Sequence, residues 1–253
     1  MIDSIGPLAT LDTRWLVLLG AVCIGGIVRG FTGFGSALII VPALAAVFGP
    51  LEAVVMHSIM EMPIILGLAP TAIRYADRRI VVPMILVLFV TTPIGALVLR
   101  TIDTDLLKGA ISIAVLVMVG LLAIQERMFT LLGPRGTLFG AGLGGLIQGA
   151  TGVGGPPIVT TLLARGDRPD VSRANVIAVM SSVIAVSIVS FGLFGLITRD
   201  VLVTGALVAP VCLLATLAGM RAFRMFGGRH HRSVTLAVLA LTALETLFFV
   251  FYK

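Results

Sequence analysis

The stretch GGIVRGFTGFG (25–35) occurs twice, because at 144–154 the chain reads GGLIQGATGVG. Gly25, Gly26, Gly30, Thr32, Gly33 and Gly35 match Gly144, Gly145, Gly149, Thr151, Gly152 and Gly154. Six identities in eleven residues, 119 positions apart in a chain of 253, indicate an internal duplication. Each copy lies inside an apolar segment, where a run of glycines signals a deliberately broken helix.

The surroundings of the two copies set the class. Hydrophobic residues make up 58% of the chain and charged ones 12%, about half the share expected of a soluble domain. Mean hydropathy is +1.14. The apolar residues come in long runs separated by short charged loops, the pattern of an all-α polytopic membrane protein in a lipid bilayer. A net charge of +6 would suggest a nucleic-acid partner in a soluble protein. Here the arginines lie in short loops between helices, where they set membrane orientation, and no nucleic acid is expected. Cys23 and Cys212 fall within apolar segments and read as small buried residues, not as a disulfide or metal pair. No basic region precedes the first apolar run, so no cleavable leader is expected.

In chain order, an apolar run from Trp15 to about Ile27 precedes the first glycine stretch, and a second runs from Ser36 to Phe48. Pro50 opens a helix over about 51–69 carrying His57 and Glu61, with a kink expected at Pro63. Helices follow at about 80–99 and 106–124. The second half repeats this plan with 136–148, the second glycine stretch, Pro156-Pro157 and an apolar run to Leu163. It continues with helices at about 171–193, 201–221 and 233–252, the basic loop RMFGGRHHR (224–232) preceding the last. The repeats therefore occupy 1–130 and 131–253. Towards their ends the spacing drifts to about 124, as for Gly95 and Gly219.

Pieces of 12–15 helical residues reach only about 20 Å, short of the roughly 30 Å hydrocarbon core. Each glycine stretch can join two half-helices that continue across, or fold them into a re-entrant hairpin. Charge counting discriminates. With hairpins, one face receives twelve of the loop arginines and lysines and the other five; with single crossings the split is nine to eight. The positive-inside rule selects the hairpins. Each repeat is then a broken-helix hairpin plus three transmembrane helices. The odd number of crossings inverts the second repeat, and both termini are expected in the periplasm. Inverted repeats with broken helices at the midplane are a transporter architecture, with the site at the repeat interface.

The second half-helix of each hairpin, starting at Ser36 and at Pro156-Pro157, aims its free N–H groups at the midplane. That makes an anion site from Gly30, Gly33, Gly35, Gly149, Gly152, Gly154 and Gly155, with Thr32, Thr151 and Ser36 adding hydroxyls. Close helix packing through small residues is the competing reading of the glycines. Arg29 lies within the first stretch and Gln148 occupies its place in the second. A charge at that depth marks a functional site unless it is a structural pair, here with Glu61. His57 and Glu61 stand at i and i+4 on one helix face. A desolvated carboxylate beside a histidine can relay a proton or form a static polar patch. Asn175, which with Gln148 is a further candidate ligand of the anion, lies with Ser181 and Ser182 on the corresponding helix of the second half, Ser182 aligned roughly opposite Glu61. Glu245 is a weaker candidate. HSIME (57–61) is not a zinc-protease motif, and no histidine or cysteine cluster completes a metal site. An intramembrane hydrolase built on Ser36 and His57 stays open as a minor alternative. No cofactor is expected.

GFTGFGSALIIVP (30–42) and GATGVGGPPIVTTLL (149–163), in a chain of this size, resemble the TauE/SafE family of sulfite exporters. The resemblance runs from about Trp15 to Phe251. GATGVGGPP is its most specific part; the first copy departs from it, with Ser36-Ala37-Leu38 where the second has Gly155-Pro156-Pro157. It implies export of sulfite, sulfoacetate or a related organosulfur anion across the bacterial inner membrane. The combined expectation is a transporter, not an enzyme, with the anion held by Arg29 and the half-helix N-termini and proton coupling through His57 and Glu61. A passive anion channel with the same pore is the alternative, and a homodimer is left open.

Overall fold

In a computed structural model, residues 13–103 and 133–251 are described, with a few positions between. The expected helix at 106–124 lies largely outside them. The described residues form eight helices and no strand. These are α1 (Thr13–Thr32), α2 (Ser36–Phe48), α3 (Pro50–Tyr75), α4 (Arg78–Thr101), α5 (Gly133–Thr151), α6 (Gly155–Leu163), α7 (Pro169–Leu193) and α8 (Arg199–Phe251).

Four helices carry stretches long and apolar enough to cross a bilayer: Pro50–Gly67, Arg78–Thr101, Asp170–Leu193 and Arg199–Met225. The chain is an all-α polytopic membrane protein. Leu86, Phe89 and Val90 on α4 and Leu207 and Leu214 on α8 are exposed, which in a bilayer is the lipid-facing side. The stretches on α3 and α7 are 67% enclosed, against 39% for α4 and α8, so α3 and α7 form the interior.

The breaks fall later than the sequence pattern suggests. α1 continues through Gly25, Gly26 and Gly30 and ends at Thr32, and α5 runs through Gly144, Gly145 and Gly149 to Thr151. Only Gly33 and Gly35, and Gly152 and Gly154, lie in the breaks. The φ angles at Gly33 (90°) and Gly152 (73°) explain the stop, since both are left-handed. The Gly33 N–H bonds to the Arg29 carbonyl at 2.8 Å and the Gly152 N–H to that of Gln148 at 2.9 Å, closing each helix with a glycine cap.

Across each break the chain doubles back. Gly25 faces Ile40 and Gly35 faces Val28, so α1 and α2 are antiparallel. Gly144 faces Ile158 and Gly140 faces Thr161, so α5 and α6 form the same hairpin.

The helical glycines hold these hairpins against distant helices. A Cβ on Gly30 would overlap the Thr216 carbonyl on α8, and one on Gly219 the Ile27 carbonyl on α1. A Cβ on Gly149 would overlap the Thr92 carbonyl on α4, and one on Gly95 the Leu146 carbonyl on α5. α1 thus packs chiefly on α8, and α4 on α5.

One expected loop is absent. The chain stays helical through 224–232, making α8 a 53-residue helix about 80 Å long, far beyond one bilayer crossing. That stretch has no proline to stop a helix, and Gly227 and Gly228, though poor helix formers, do not break this one. The side chains of His230, His231 and Glu245 lie outside the described residues.

Candidate functional site

The two hairpin breaks meet in the interior, and a small cavity of about 20 Å³ lies between them. Arg29, Gly35 and Ser36 line it from the first hairpin; Gln148, Gly152 and Gly155 line it from the second. His57 on α3 and Met180 and Ile184 on α7 also form part of the wall.

Arg29 is placed by the last turn of α1 and is 4% exposed. Its guanidinium donates through Nη1 to the Gly33 carbonyl at 2.8 Å, so it caps the helix that carries it. Its Nε lies 3.0 Å from Glu61 Oε2, an ion pair whose N–H is not aligned on the oxygen as a hydrogen bond. Glu61, fully buried on α3, accepts a 2.5 Å hydrogen bond from Ser36 Oγ. His57 Nε2 lies 3.2 Å from the same hydroxyl and 3.6 Å from Glu61 Oε1. His57 Nδ1 is buried with no hydrogen-bond partner. The structural pair expected of Arg29 and Glu61 is therefore formed; Arg29 lines the cavity, and Glu61 is not among the residues that do.

The second hairpin answers with neutral chemistry. Gln148 Oε1 accepts from the Gly154 N–H at 3.0 Å, bracing its own break. Gly155 stands where the first hairpin has Ser36, with Met180 against it. Pro156 and Pro157 have no N–H, so α6 offers fewer donors at its N-terminus than α2 does.

Other sequence candidates lie off the cavity. Gly30 and Gly149 face α8 and α4, where their role is packing. Thr32 Oγ1 donates to the Val28 or Phe34 carbonyl (2.9 and 2.6 Å) and accepts from the Phe34 N–H at 3.2 Å. Thr151 donates to the Ile147 carbonyl at 2.8 Å. Both hydroxyls serve the breaks themselves. Gly33 faces Val176 and Ile177, and Gly154 packs on the backbone of α5. Asn175 is fully buried but accepts from the Asp77 N–H at 2.8 Å, tying α7 to the start of α4. Ser182 donates to the Ala178 carbonyl and does not line the cavity. Met180 and Ile184 were missed by sequence reasoning, which looked for polar residues on α7. Their i, i+4 spacing, the same as that of His57 and Glu61, was the available signal.

The sulfite exporter TauE/SafE family model matches residues 17–246, which includes both hairpins. The chain belongs to the TauE/SafE family. A protein of Cupriavidus necator described as "Probable sulfite/organosulfonate exporter TauE" is 26% identical over 234 residues, covering 88% of each chain. No solved structure matches the chain. A TauE/SafE protein is a membrane transporter, and the Ser36–His57–Glu61 cluster lacks the order of a hydrolase triad. There the carboxylate holds the imidazole nitrogen away from the serine, whereas here Glu61 and Ser36 share Nε2 and Nδ1 is orphaned.

Proposed function

We propose that this TauE/SafE chain is a secondary transporter that moves a small sulfur oxyanion, sulfite or an organosulfonate, out across the bacterial inner membrane. The observation that carries the reading is a buried arginine at the meeting point of two hairpin breaks, lining a cavity with Ser36 and the first turn of α2. A guanidinium, a hydroxyl and a helix N-terminus together suit an oxyanion.

The same contacts support inverted repeats. Gly33 faces Ile177 while Gly152 faces Val54, and Ser36 meets His57 while Gly155 meets Met180. Shifting the hairpin by 119 residues and α3 by 123 exchanges each contact for its counterpart. This sets Met180 and Ile184 opposite His57 and Glu61, replacing the rougher alignment of Ser182 with Glu61. The site is thus charged in its first half and apolar in its second. Charge counting orients the molecule with its basic segments in the cytoplasm and its N-terminus in the periplasm.

A cavity of about 20 Å³ holds roughly one water, so the hairpin tips must part to admit sulfite. The anion then takes Arg29 from Glu61. An unpaired carboxylate left in the interior costs several kcal/mol, and a proton taken up by Glu61 removes that cost, so anion and proton leave together, driven by the outward gradient of the anion. His57, within 3.6 Å, is the group that passes the proton. Reconstitution into liposomes tests this reading. Concentrative sulfite flux on imposing a pH gradient supports it; flux that only dissipates the sulfite gradient indicates a channel.

A further inference from the structure

A second cavity, about 540 Å³, opens beside the first hairpin break between α3, α7 and α8. Arg173 and Arg224 line it, with Tyr75, Phe223, Asp170 and Ile177. Arg173 reaches across to α1, donating from Nη2 to the Gly30 carbonyl at 3.1 Å, and its guanidinium stacks 4.1 Å over the Phe223 ring. Its Nε is buried without a hydrogen-bond partner. The cavity's one carboxylate, Asp170, is engaged by Arg168 at 2.9 Å, and neither lining arginine forms a salt bridge among the described residues. Two cations in one cavity without a carboxylate between them repel each other, an arrangement that an anion relieves.

The cavity's position links it to the central site. Ile177 lines it and packs against Gly33 in the break. Met180, three residues further along α7 and so about 4.5 Å on, lines the small cavity that holds Arg29. One turn of α7 and the break of the first hairpin are all that separate the two. Tyr75 at the end of α3, Asp170 at the start of α7 and Arg224 put the opening on the face that carries most of the basic loops.

We infer that this cavity is an anion-capture vestibule, in which Arg173 and Arg224 collect a sulfonate or sulfite from the basic face before it passes Ile177 and Gly33 to Arg29. The identity of the anion rests on the transport reading above; the capture of an anion does not. Arg173 offers the planar donors that match an oxyanion, and Arg224, exposed at the rim, supplies the long-range attraction.

Cysteine labelling in purified protein tests the vestibule independently of transport. Tyr75→Cys, in a Cys23→Ser, Cys212→Ala background, places a thiol at the rim, where Tyr75 is 66% exposed. Its modification rate is compared for 2-sulfonatoethyl methanethiosulfonate and the trimethylammonium reagent of similar size, each relative to that reagent's rate with a free small thiol. The expected result is about tenfold faster labelling by the sulfonate, collapsing towards parity on Arg224→Gln, a substitution at an exposed side chain. Equal rates in the parent protein, or a preference that Arg224→Gln leaves intact, overturn the proposal. A charge preference that disappears with Arg224→Gln in a protein without liposome flux upholds the vestibule and counts against the transport reading alone.

Discussion

Arg29 Nε and Glu61 Oε2 stand 3.0 Å apart, joining the break of the first hairpin to the middle of α3, with both side chains closed to solvent. The pair thus performs two jobs. It neutralises a cation and an anion in the interior, and it keeps the one guanidinium that lines the central cavity engaged until something replaces the carboxylate. Removing either partner alone leaves a buried, uncompensated charge, which costs about 3–5 kcal/mol. Arg29→Ala is expected to lower thermal stability and abolish sulfite transport. The Arg29→Gln, Glu61→Gln double variant is expected to regain most of the stability and none of the transport. Thermal unfolding in detergent and liposome flux check both halves.

Glu61→Gln keeps the shape of the side chain and its acceptor for Ser36 but removes the proton site. Transport by this variant is expected to lose its dependence on an imposed pH gradient, while sulfite still exchanges down its own gradient. Flux measured at equal and unequal pH on the two sides separates these results. An unaltered response to the gradient removes Glu61 from the coupling step.

The glycines divide into two kinds with different consequences. Gly30→Ala and Gly149→Ala each push a methyl into a carbonyl oxygen of the facing helix, Thr216 or Thr92, and backbone cannot swing aside. A loss of about 1–3 kcal/mol is expected for each, with poor assembly of α1 on α8 or α4 on α5. Gly20→Ala, with no heavy atom within 4 Å of the added methyl, is expected to be neutral. Thermal stability of the three variants checks the contrast.

The sequence made the hairpins visible because two independent marks, the duplication and the unequal arginine count, both survive in it. Where each helix stops was harder to read. Helical glycines and break glycines look alike in GGIVRGFTGFG, and only a positive φ at Gly33 and Gly35 tells them from Gly25, Gly26 and Gly30. The charged half of the site was legible for the opposite reason: Arg29, His57 and Glu61 are conspicuous in an apolar segment. The other half was not, since Met180 and Ile184 look like any core residue until the fold sets them against Gly155 and Gln148. Nor does local pattern warn that Thr32 and Thr151 spend their hydroxyls on their own breaks.

Met180 and Ile184 make the apolar wall of a cavity of about 20 Å³, so they are placed to limit what fits beside the anionic head. Met180→Ala is expected to shift preference from sulfite towards longer alkanesulfonates, by about tenfold in the ratio of transport efficiencies. Competition flux with the two substrates checks it; an unchanged ratio removes Met180 from the substrate wall.

The central claim is that a buried arginine between two hairpin breaks carries a sulfur oxyanion through a closed site. Sulfite flux into liposomes holding the wild-type chain, with Arg29→Gln, Glu61→Gln alongside as a folded control, tests it most directly. The account predicts saturable flux that a pH gradient makes concentrative in the wild type, and none in the double variant. Undiminished sulfite flux through the folded double variant would contradict it.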